Sequence, residues 1–418
     1  MYLLINCVLV NILKSFRFEP VMNYHLSRRY FLKASTAIAL NQMLMGCSNA
    51  ETMLQVLFLE NSIPPQLIRD FRKAINNKKK VNFKPQTQIP QIFDSLLNLQ
   101  QSKKSDQKTK NIISKIFSKS VIYPALTSLG DVWLGSAIKQ NLIKPLSVNN
   151  LKNWHELPPL WQKLGQRDRQ GNVTTEGKIY GAPYRWGSIV IAYRSDKLEQ
   201  LNLTDWGDLW HPELRDRISL LDSPREVIGL TLKKLGKSYN ISDLDADPKF
   251  KAKLEEELLA LHQQAKLYSS DHYLEPLILG DTWAAVGWST DILPILKRYG
   301  GIKFIIPASG VSLWADLWVK PKEDLGSLVV DKEDKPTAIE EWIDYCWESQ
   351  GAKQISLFTN GISPILSTLP SAEIPADLQE NVFLNSAILK SDKSEFLLPL
   401  NPKTAQQYRD LWLKIRSS

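Results

Sequence analysis

The sequence has few of the residues and motifs that covalent cross-linking or familiar catalysis requires. Its 418 residues include three cysteines, and Cys7 and Cys47 lie near the N-terminus, which leaves Cys346 alone in the rest of the chain. A single cysteine excludes a disulfide framework, and scattered histidines argue against a structural zinc site. The chain also lacks a phosphate-binding loop, a metalloprotease helix motif and a nucleophile elbow. We therefore expect no enzyme, no cofactor and no metal.

Charge is also modest. The chain has 52 Lys and Arg against 44 Asp and Glu, a formal net charge of +8, and about half of this excess lies in the first 46 residues. A balance of this size does not indicate nucleic acid as a partner, and the lysine-rich stretch 103–119 is typical of a solvated face. The biased segment 102–110 predicts a surface excursion. Tryptophan, by contrast, is abundant, with 13 residues.

The N-terminal segment has the features of an export signal. Arg28-Arg29 precedes an apolar run that ends in Leu44-Met45-Gly46-Cys47. A twin-arginine pair before an apolar run is typical of export, and a small residue before a cysteine is typical of a bacterial lipobox. The run is too short to span a bilayer, although a buried helix remains an alternative. We expect residues 1–46 to be a signal peptide that starts at Met1 or, better placed, at Met22.

These signals together predict a location and an anchor. Export by the twin-arginine route places the folded protein in the periplasm, and acylation of Cys47 tethers it to a membrane. The segment therefore indicates a lipoprotein that works outside the cytoplasmic membrane.

Beyond this segment, predicted strands and helices alternate, which indicates an α/β protein with a parallel or mixed sheet covered on both faces. No internal repeat or long linker divides the chain, so two lobes would require the chain to cross between them more than once. Ligands of open α/β sheets bind outside the carboxyl ends of strands. The predicted strands are 54–59, 80–83, 188–193 and 218–221, and the predicted helices are one from Pro65 through Ile75, 92–99, 255–267, 338–347 and 405–415.

Four groups of motifs carry the most specific signal. In one of them, W-x-D-L-W-x-P-E-L is followed by D-x-x-R-E-V and then L-x-K-L-G. In the residues and the order of these motifs, the chain resembles the periplasmic spermidine/putrescine-binding proteins of ABC importers, over roughly residues 54–415. The motifs lie at 129–134 with 142–146, at 180–187, at 205–215 with 222–227 and 234–236, and at 287–290 with 312–316.

The resemblance implies a two-lobed type II periplasmic-binding-protein fold with a ligand cleft between the lobes. It implies a monomer that captures a polyamine or related organic cation and delivers it to an ABC permease in the cytoplasmic membrane. Hinge strands are expected near residues 183–188 and 306–313. The expected lobes are 51–185 with 312–358 and 186–311 with 359–418.

The resemblance also implies a set of binding residues, and the chemistry of the ligand agrees with them. An alkylammonium ligand needs carboxylates for its charges and flat aromatic faces for its methylenes and ammonium heads. The matching positions are Glu226 and Asp316 as ammonium clamps, and Trp288 and Trp314 as stacking walls. Asp316 lies in an apolar strand between two tryptophans, so its carboxylate must be paired or line a cleft.

Structural alternatives exist for these residues. Ser223-Pro224-Arg225-Glu226 also fits a capping box, with Ser at the cap, Pro at the first helical position and Glu three residues on. Trp288 and Trp314 also fit a hydrophobic core.

The chain departs from the family pattern at several cleft positions. Ser223 stands where the family has Asp, with Asp222 one residue earlier, and Ile138 and Ile362 replace cleft tyrosines. Ser136 matches a serine shared by the family, and the segment Leu59–Ser62 lacks the aromatics found there in the family. Glu60 and Trp133 are candidates to compensate.

The departures keep other functions open. The same fold with a metal chelate, an amino-acid derivative or an oxyanion as ligand is the nearer alternative. An exported enzyme on this scaffold and a lipoprotein that binds only a membrane partner are alternatives from other classes.

Overall fold

A computed structural model describes residues 54–76, 81–108, 124–322, 337–385 and 387–418. The predicted signal peptide and Cys47 lie outside the described residues, as does most of the lysine-rich stretch after residue 108. Within the described ranges, no helix is both long enough and apolar enough to cross a membrane.

The described strands and helices alternate as the sequence predicts. The strands are β1 (Leu54–Leu59), β2 (Val81–Gln86), β3 (Pro124–Gly130), β4 (Ile143–Lys144), β5 (Gln166–Arg167), β6 (Lys178–Ile179), β7 (Ala182–Arg194), β8 (Ile218–Leu220), β9 (Ala265–Tyr268), β10 (Ala284–Trp288), β11 (Ile302–Ile305), β12 (Ser312–Pro321) and β13 (Glu395–Phe396). The helices are α1 (Pro65–Ala74), α2 (Ile89–Lys108), α3 (Asp131–Lys139), α4 (Pro159–Gly165), α5 (Pro224–Lys234), α6 (Pro248–Gln264), α7 (Glu275–Leu279), α8 (Ser289–Leu296), α9 (Ala338–Trp347), α10 (Ser349–Thr359), α11 (Ala376–Gln379), α12 (Val382–Asn385) and α13 (Pro402–Arg416).

Most predicted elements are confirmed, and the exceptions have a tertiary cause. Helix α1 begins at Pro65 and buries Leu67 and Phe71, which are four residues apart and therefore share a face. The helix predicted over 255–267 ends at Gln264, because the following residues form β9 and pair in parallel with β8. Residues 102–108 of the predicted surface excursion continue α2, while residues 109 and 110 lie outside the described residues, so the surface position stays a prediction.

The strands form a mixed sheet, as their alternation with helices predicts. Its order is β2-β1-β3-β12-β7-β10-β8-β9, with β11 paired to β7, and β4 and β13 paired to β12. Strand β1 is parallel to β2 and β3, whereas β12 and β7 run antiparallel to their neighbours in the centre. Strands β5 and β6 form a separate pair.

Strands β7 and β12 connect the two halves of this sheet. The first half of β7 pairs with β12, from Ala182 to Ser188, and its second half pairs with β10 and β11, from Ile189 to Arg194. Strand β12 also pairs with β3. Residues 185–189 and 312–316 therefore lie where the two halves of the sheet meet, and this region is called the junction. The residue bounds of the two lobes stay a prediction.

Aromatic residues fill the core beside the junction. The rings of Tyr184 and Trp318 stack with centroids 4.6 Å apart, and Trp318 packs edge-on against Trp342 of α9 at 5.8 Å. Each such pair contributes about 0.5–1.5 kcal/mol of stability beyond the free energy gained by burying its apolar area. Cys346 is buried on the same helix, where desolvation raises the pKa of its thiol and keeps it neutral. Many of the tryptophans are therefore packing residues.

Candidate functional site

The strand register brings several predicted site residues to the junction. Trp314 and Asp316 of β12 lie opposite Gly187 and Arg185 of β7. Because residues two apart on a strand share a face, these four residues point to the same side of the sheet. Trp288 ends the neighbouring strand β10 and is half-buried.

Asp316 forms a buried ion pair with Arg185. The Arg185 Nε atom lies 2.7 Å from Oδ2 of Asp316, and both side chains are only 6% exposed. Burial raises the pKa of the Asp316 carboxyl, and the charge of Arg185 opposes that shift. Burial lowers the pKa of Arg185, but the charge and hydrogen bond of Asp316, together with the charges of Tyr184 and Asp291, outweigh burial and leave the pKa raised. Asp316 was expected to be paired or to line a cleft, and the structure pairs it with a residue of this chain.

The guanidinium of Arg185 also covers an aromatic face. Its central carbon lies 5.5 Å from the ring centroid of Trp314, within the range of a cation–π contact. Sequence reasoning missed Arg185, although a charged residue between Tyr184 and Trp186 in a buried strand was a visible signal.

Glu226 lies in the first turn of α5 and points to the start of β12. It is 5% exposed, and the Ser312 hydroxyl donates to its Oε2 atom over 2.5 Å. Burial raises the pKa of Glu226 to about 7, and the hydrogen bond from Ser312 and the charge of Arg225 only partly offset this. Helix α5 does begin at Pro224 after Ser223, but the Ser223 side chain makes no capping hydrogen bond. The predicted capping box is therefore wrong, because Glu226 bonds across to β12 instead.

Trp288 is positioned by a tyrosine and an aspartate. The Trp288 backbone N–H donates to the Tyr273 hydroxyl over 3.0 Å, and that hydroxyl donates to Oδ2 of Asp291 over 2.9 Å. Asp291 is exposed in the first turn of α8 and acts on the charge of Arg185. Sequence reasoning missed Asp291, although it directly follows the motif that ends at residue 290.

The two unpaired carboxylates set the charge of this side of the junction. Among the residues that the structure describes, no lysine, arginine or histidine forms an ion pair with Glu226 or Asp291. Asp316, by contrast, is balanced by Arg185. Glu226, Asp291 and Asp316 outnumber the two arginines whose charges act on them, Arg185 and Arg225, and this arrangement favours a cationic ligand.

A second buried pair of charges lies behind β12. Asp131, the first residue of α3, accepts a hydrogen bond from the Ala315 N–H over 2.9 Å, and burial raises the pKa of its carboxyl to about 7. The charge of Arg167 acts on Asp131, while Nε and Nη1 of Arg167 are buried without a hydrogen-bond partner in the described residues. The two groups act on each other's charge without forming a salt bridge in the described residues.

The remaining predicted site residues lie on other elements. The structure does not bring them together with Trp288, Trp314 and Asp316, and their binding roles stay predictions. Asp222 is exposed and pairs with Arg416 at 2.9 Å, and Ser223 precedes α5. The Ser136 hydroxyl accepts a hydrogen bond from Gln140 at the end of α3, and Trp133 packs on Phe93. Glu60 is exposed after β1, whereas Ile138 and Ile362 are buried.

Gly187 allows Trp314 to lie close to β7, which gives a first prediction. A Cβ atom at Gly187 would lie 2.5 Å from Cζ2 of Trp314 and 2.6 Å from Oγ of Ser289. We expect Gly187→Ala to displace the indole and lower the free energy of unfolding by about 1–3 kcal/mol, measured by urea denaturation. Gly207→Ala is the matched control, because a Cβ there meets no atom within 4 Å. Equal stability of the two variants would contradict the close packing.

The described residues contain no group of three or more His, Cys, Asp or Glu side chains placed to hold a metal ion. The functional candidates are thus the carboxylates, the indoles and Arg185 at the junction.

Proteins of known name that resemble this chain include polyamine-binding periplasmic proteins. The spermidine/putrescine-binding periplasmic protein of Salmonella typhimurium is 29% identical over 178 residues, which is 43% of this chain and 48% of that protein. The chain therefore spans about half the length of that relative. The putrescine-binding periplasmic protein PotF of Escherichia coli is 24% identical over 311 residues, 68% of this chain and 76% of that one.

Solved structures share the fold. The spermidine/putrescine ABC transporter substrate-binding protein PotD from Streptococcus pneumoniae superposes with a TM-score of 0.69 at 18% identity, covering 88% of this chain and 99% of that one. The Tp0655 (TpPotD) lipoprotein of Treponema pallidum gives a TM-score of 0.64 at 16% identity, over 88% and 100% of the two chains. These likenesses show the predicted two-lobed α/β fold.

A family profile described as bacterial extracellular solute-binding protein matches residues 120–384, well over half of the chain. The protein belongs to the bacterial extracellular solute-binding protein family.

Proposed function

We propose that this protein is the substrate-binding component of an ABC importer and captures a polyamine, or a related organic cation, in the cleft between its lobes. The names of its relatives support this class of ligand. The observation that carries the proposal is a pair of carboxylates without a described ionic partner. Glu226 bonds to Ser312 at the start of β12, and Asp291 lies on the helix that follows Trp288 and is linked to it through Tyr273.

The chemistry of such a site follows from its residues. A desolvated ammonium over an indole gains about 2 kcal/mol, and a charge-assisted hydrogen bond to a carboxylate adds to this. A ligand shifts an open–closed equilibrium only if it binds the closed form better. Contacts from Trp288 on one half of the sheet and Trp314 on β12 would provide that difference, with the hinge in β7 and β12.

The location of the protein is part of the same proposal. Its relatives are periplasmic, and the twin-arginine pair and lipobox support export followed by lipid attachment at Cys47. We infer a monomer that works with a permease in the cytoplasmic membrane and has a transport role rather than an enzymatic one.

The test is isothermal titration of the full chain, purified in mild detergent, with putrescine, cadaverine and spermidine. We expect micromolar or tighter binding of at least one of them. The neutral diol 1,4-butanediol, which has the length of putrescine but no charge, is expected to give no heat. A folded protein that binds none of the amines would overturn the proposal.

An amino-acid derivative is a second candidate, because Arg185 brings a guanidinium to the cleft. Guanidinium groups match carboxylates well. Ornithine differs from putrescine by one carboxylate, so tighter binding of ornithine would favour this candidate.

A further inference from the structure

We propose that Arg185 is a specificity-determining residue, whose guanidinium occupies one cation-binding position of the cleft, so that the site accepts diamines and rejects amines with a third charge. This inference rests on the proposed function and names its class of substrate.

Arg185 uses the two groups that would otherwise recognise an ammonium. Its Nε atom contacts the Asp316 carboxylate at 2.7 Å, and its guanidinium covers the Trp314 ring at 5.5 Å. A carboxylate and an indole face are the partners that an organic cation needs. The side chain of Arg185 thus holds the place of one charged end of a ligand.

The backbone holds Arg185 in that position. Arg185 and Asp316 are direct cross-strand neighbours, so the register of β7 and β12 sets their distance. The Arg185 stem also passes close to Gly361, where a Cβ atom would lie 3.1 Å from its Cδ atom. The guanidinium is therefore a fixed part of the wall, not a mobile surface charge.

The carboxylates that remain set the number of charges in the ligand. Glu226 and Asp291 have no ion pair in the described part of the chain, and two ammonium groups would balance them. A third ammonium would meet the guanidinium of Arg185, which is 6% exposed, and repulsion between like charges is strong where little water screens them. A diamine avoids this contact.

The experiment compares putrescine with spermidine, by isothermal titration and thermal unfolding, on the full chain and two variants. We expect the unchanged protein to bind putrescine at least tenfold more tightly than spermidine. Arg185→Met keeps an unbranched stem and frees the Asp316 carboxylate, so we expect it to gain at least tenfold in spermidine affinity and to be stabilised by spermidine. The double variant Arg185→Met/Asp316→Asn, which also removes the freed charge, is expected to lose that gain.

The outcomes distinguish a failure of the role of Arg185 from a failure of the proposed polyamine transport. The inference is overturned if the unchanged protein binds spermidine as tightly as putrescine. It is also overturned if a folded Arg185→Met variant gains no affinity for spermidine. Neither result contradicts polyamine transport. If the unchanged protein binds neither amine but Arg185→Met gains spermidine, the role of Arg185 holds and the diamine ligand does not. Ornithine bound more tightly than putrescine also overturns the inference, because Arg185 then binds a ligand carboxylate. If Arg185→Met does not fold, the comparison on the unchanged protein decides.

Discussion

Replacing Arg185 with methionine is expected to lower the free energy of unfolding of the ligand-free protein by about 3–5 kcal/mol, because the change leaves the Asp316 carboxylate buried without a partner. Both side chains of the pair are only 6% exposed, so water cannot replace the lost contact. Urea denaturation at pH 8 measures the change. At pH 5 the loss is expected to be smaller, since the pKa of Asp316 is already raised by burial and its protonation removes the unpaired charge.

The control is the double variant Arg185→Met/Asp316→Leu. Replacing both partners with apolar residues leaves no buried charge, so its stability is expected to be close to that of the unchanged protein. If Arg185→Met is as stable as the unchanged protein at pH 8, the Arg185–Asp316 pair does not stabilise the junction.

Diamine affinity is expected to fall about tenfold per pH unit below pH 7, because Glu226 must lose a proton to receive an ammonium. Burial raises the pKa of Glu226 to about 7 in the free protein, and a bound ammonium lowers it. Above pH 7 Glu226 is already ionised, so the affinity reaches a plateau; below pH 7 each binding event must release a proton. Amine ligands stay charged over this range, since their own pKa values are near 10. Titration of putrescine from pH 5.5 to 8.5 measures the slope.

Glu226→Gln tests whether this slope belongs to Glu226. The amide keeps the hydrogen-bonding shape but lacks the charge, so we expect about a 30-fold loss of affinity at pH 8, about 2 kcal/mol, and little dependence on pH. Asp131→Asn is the matched comparison, because burial also raises the pKa of Asp131 to about 7, behind β12. If the slope persists in Glu226→Gln and disappears in Asp131→Asn, the proton is released by Asp131 and Glu226 is not the clamp.

The stretches of strand and helix follow from local patterns. Apolar runs predicted β1 and β8, whose consecutive residues are buried on both faces, and apolar residues predicted α9, all with correct or nearly correct bounds. The end of α6 was predicted less well, since residues 265–268 leave the helix to pair with β8. That pairing depends on a strand more than 40 residues earlier in the sequence, and no local pattern contains it.

The site was predictable in its residue types but not in its contacts. The position of Asp316 between two tryptophans predicted either a partner or a place in a cleft, and the structure supplies a partner in Arg185, more than 100 residues away. The sequence around Glu226 fitted a helix cap equally well, and only the packing of α5 against β12 showed that its carboxylate bonds to Ser312. Asp291 was missed because its relation to Trp288 runs through the Tyr273 hydroxyl.

By itself the sequence determined the α/β class, the resemblance to solute-binding proteins and the cluster of tryptophans and carboxylates, because hydrophobic periodicity and motif spacing are local properties of a chain. The tertiary structure decided which of these charges are neutralised. Register pairs Asp316 with Arg185 and leaves Glu226 and Asp291 without a described ionic partner. The strength of a buried charge depends on its desolvation and on its nearest opposite charge, and both are set only when distant strands meet.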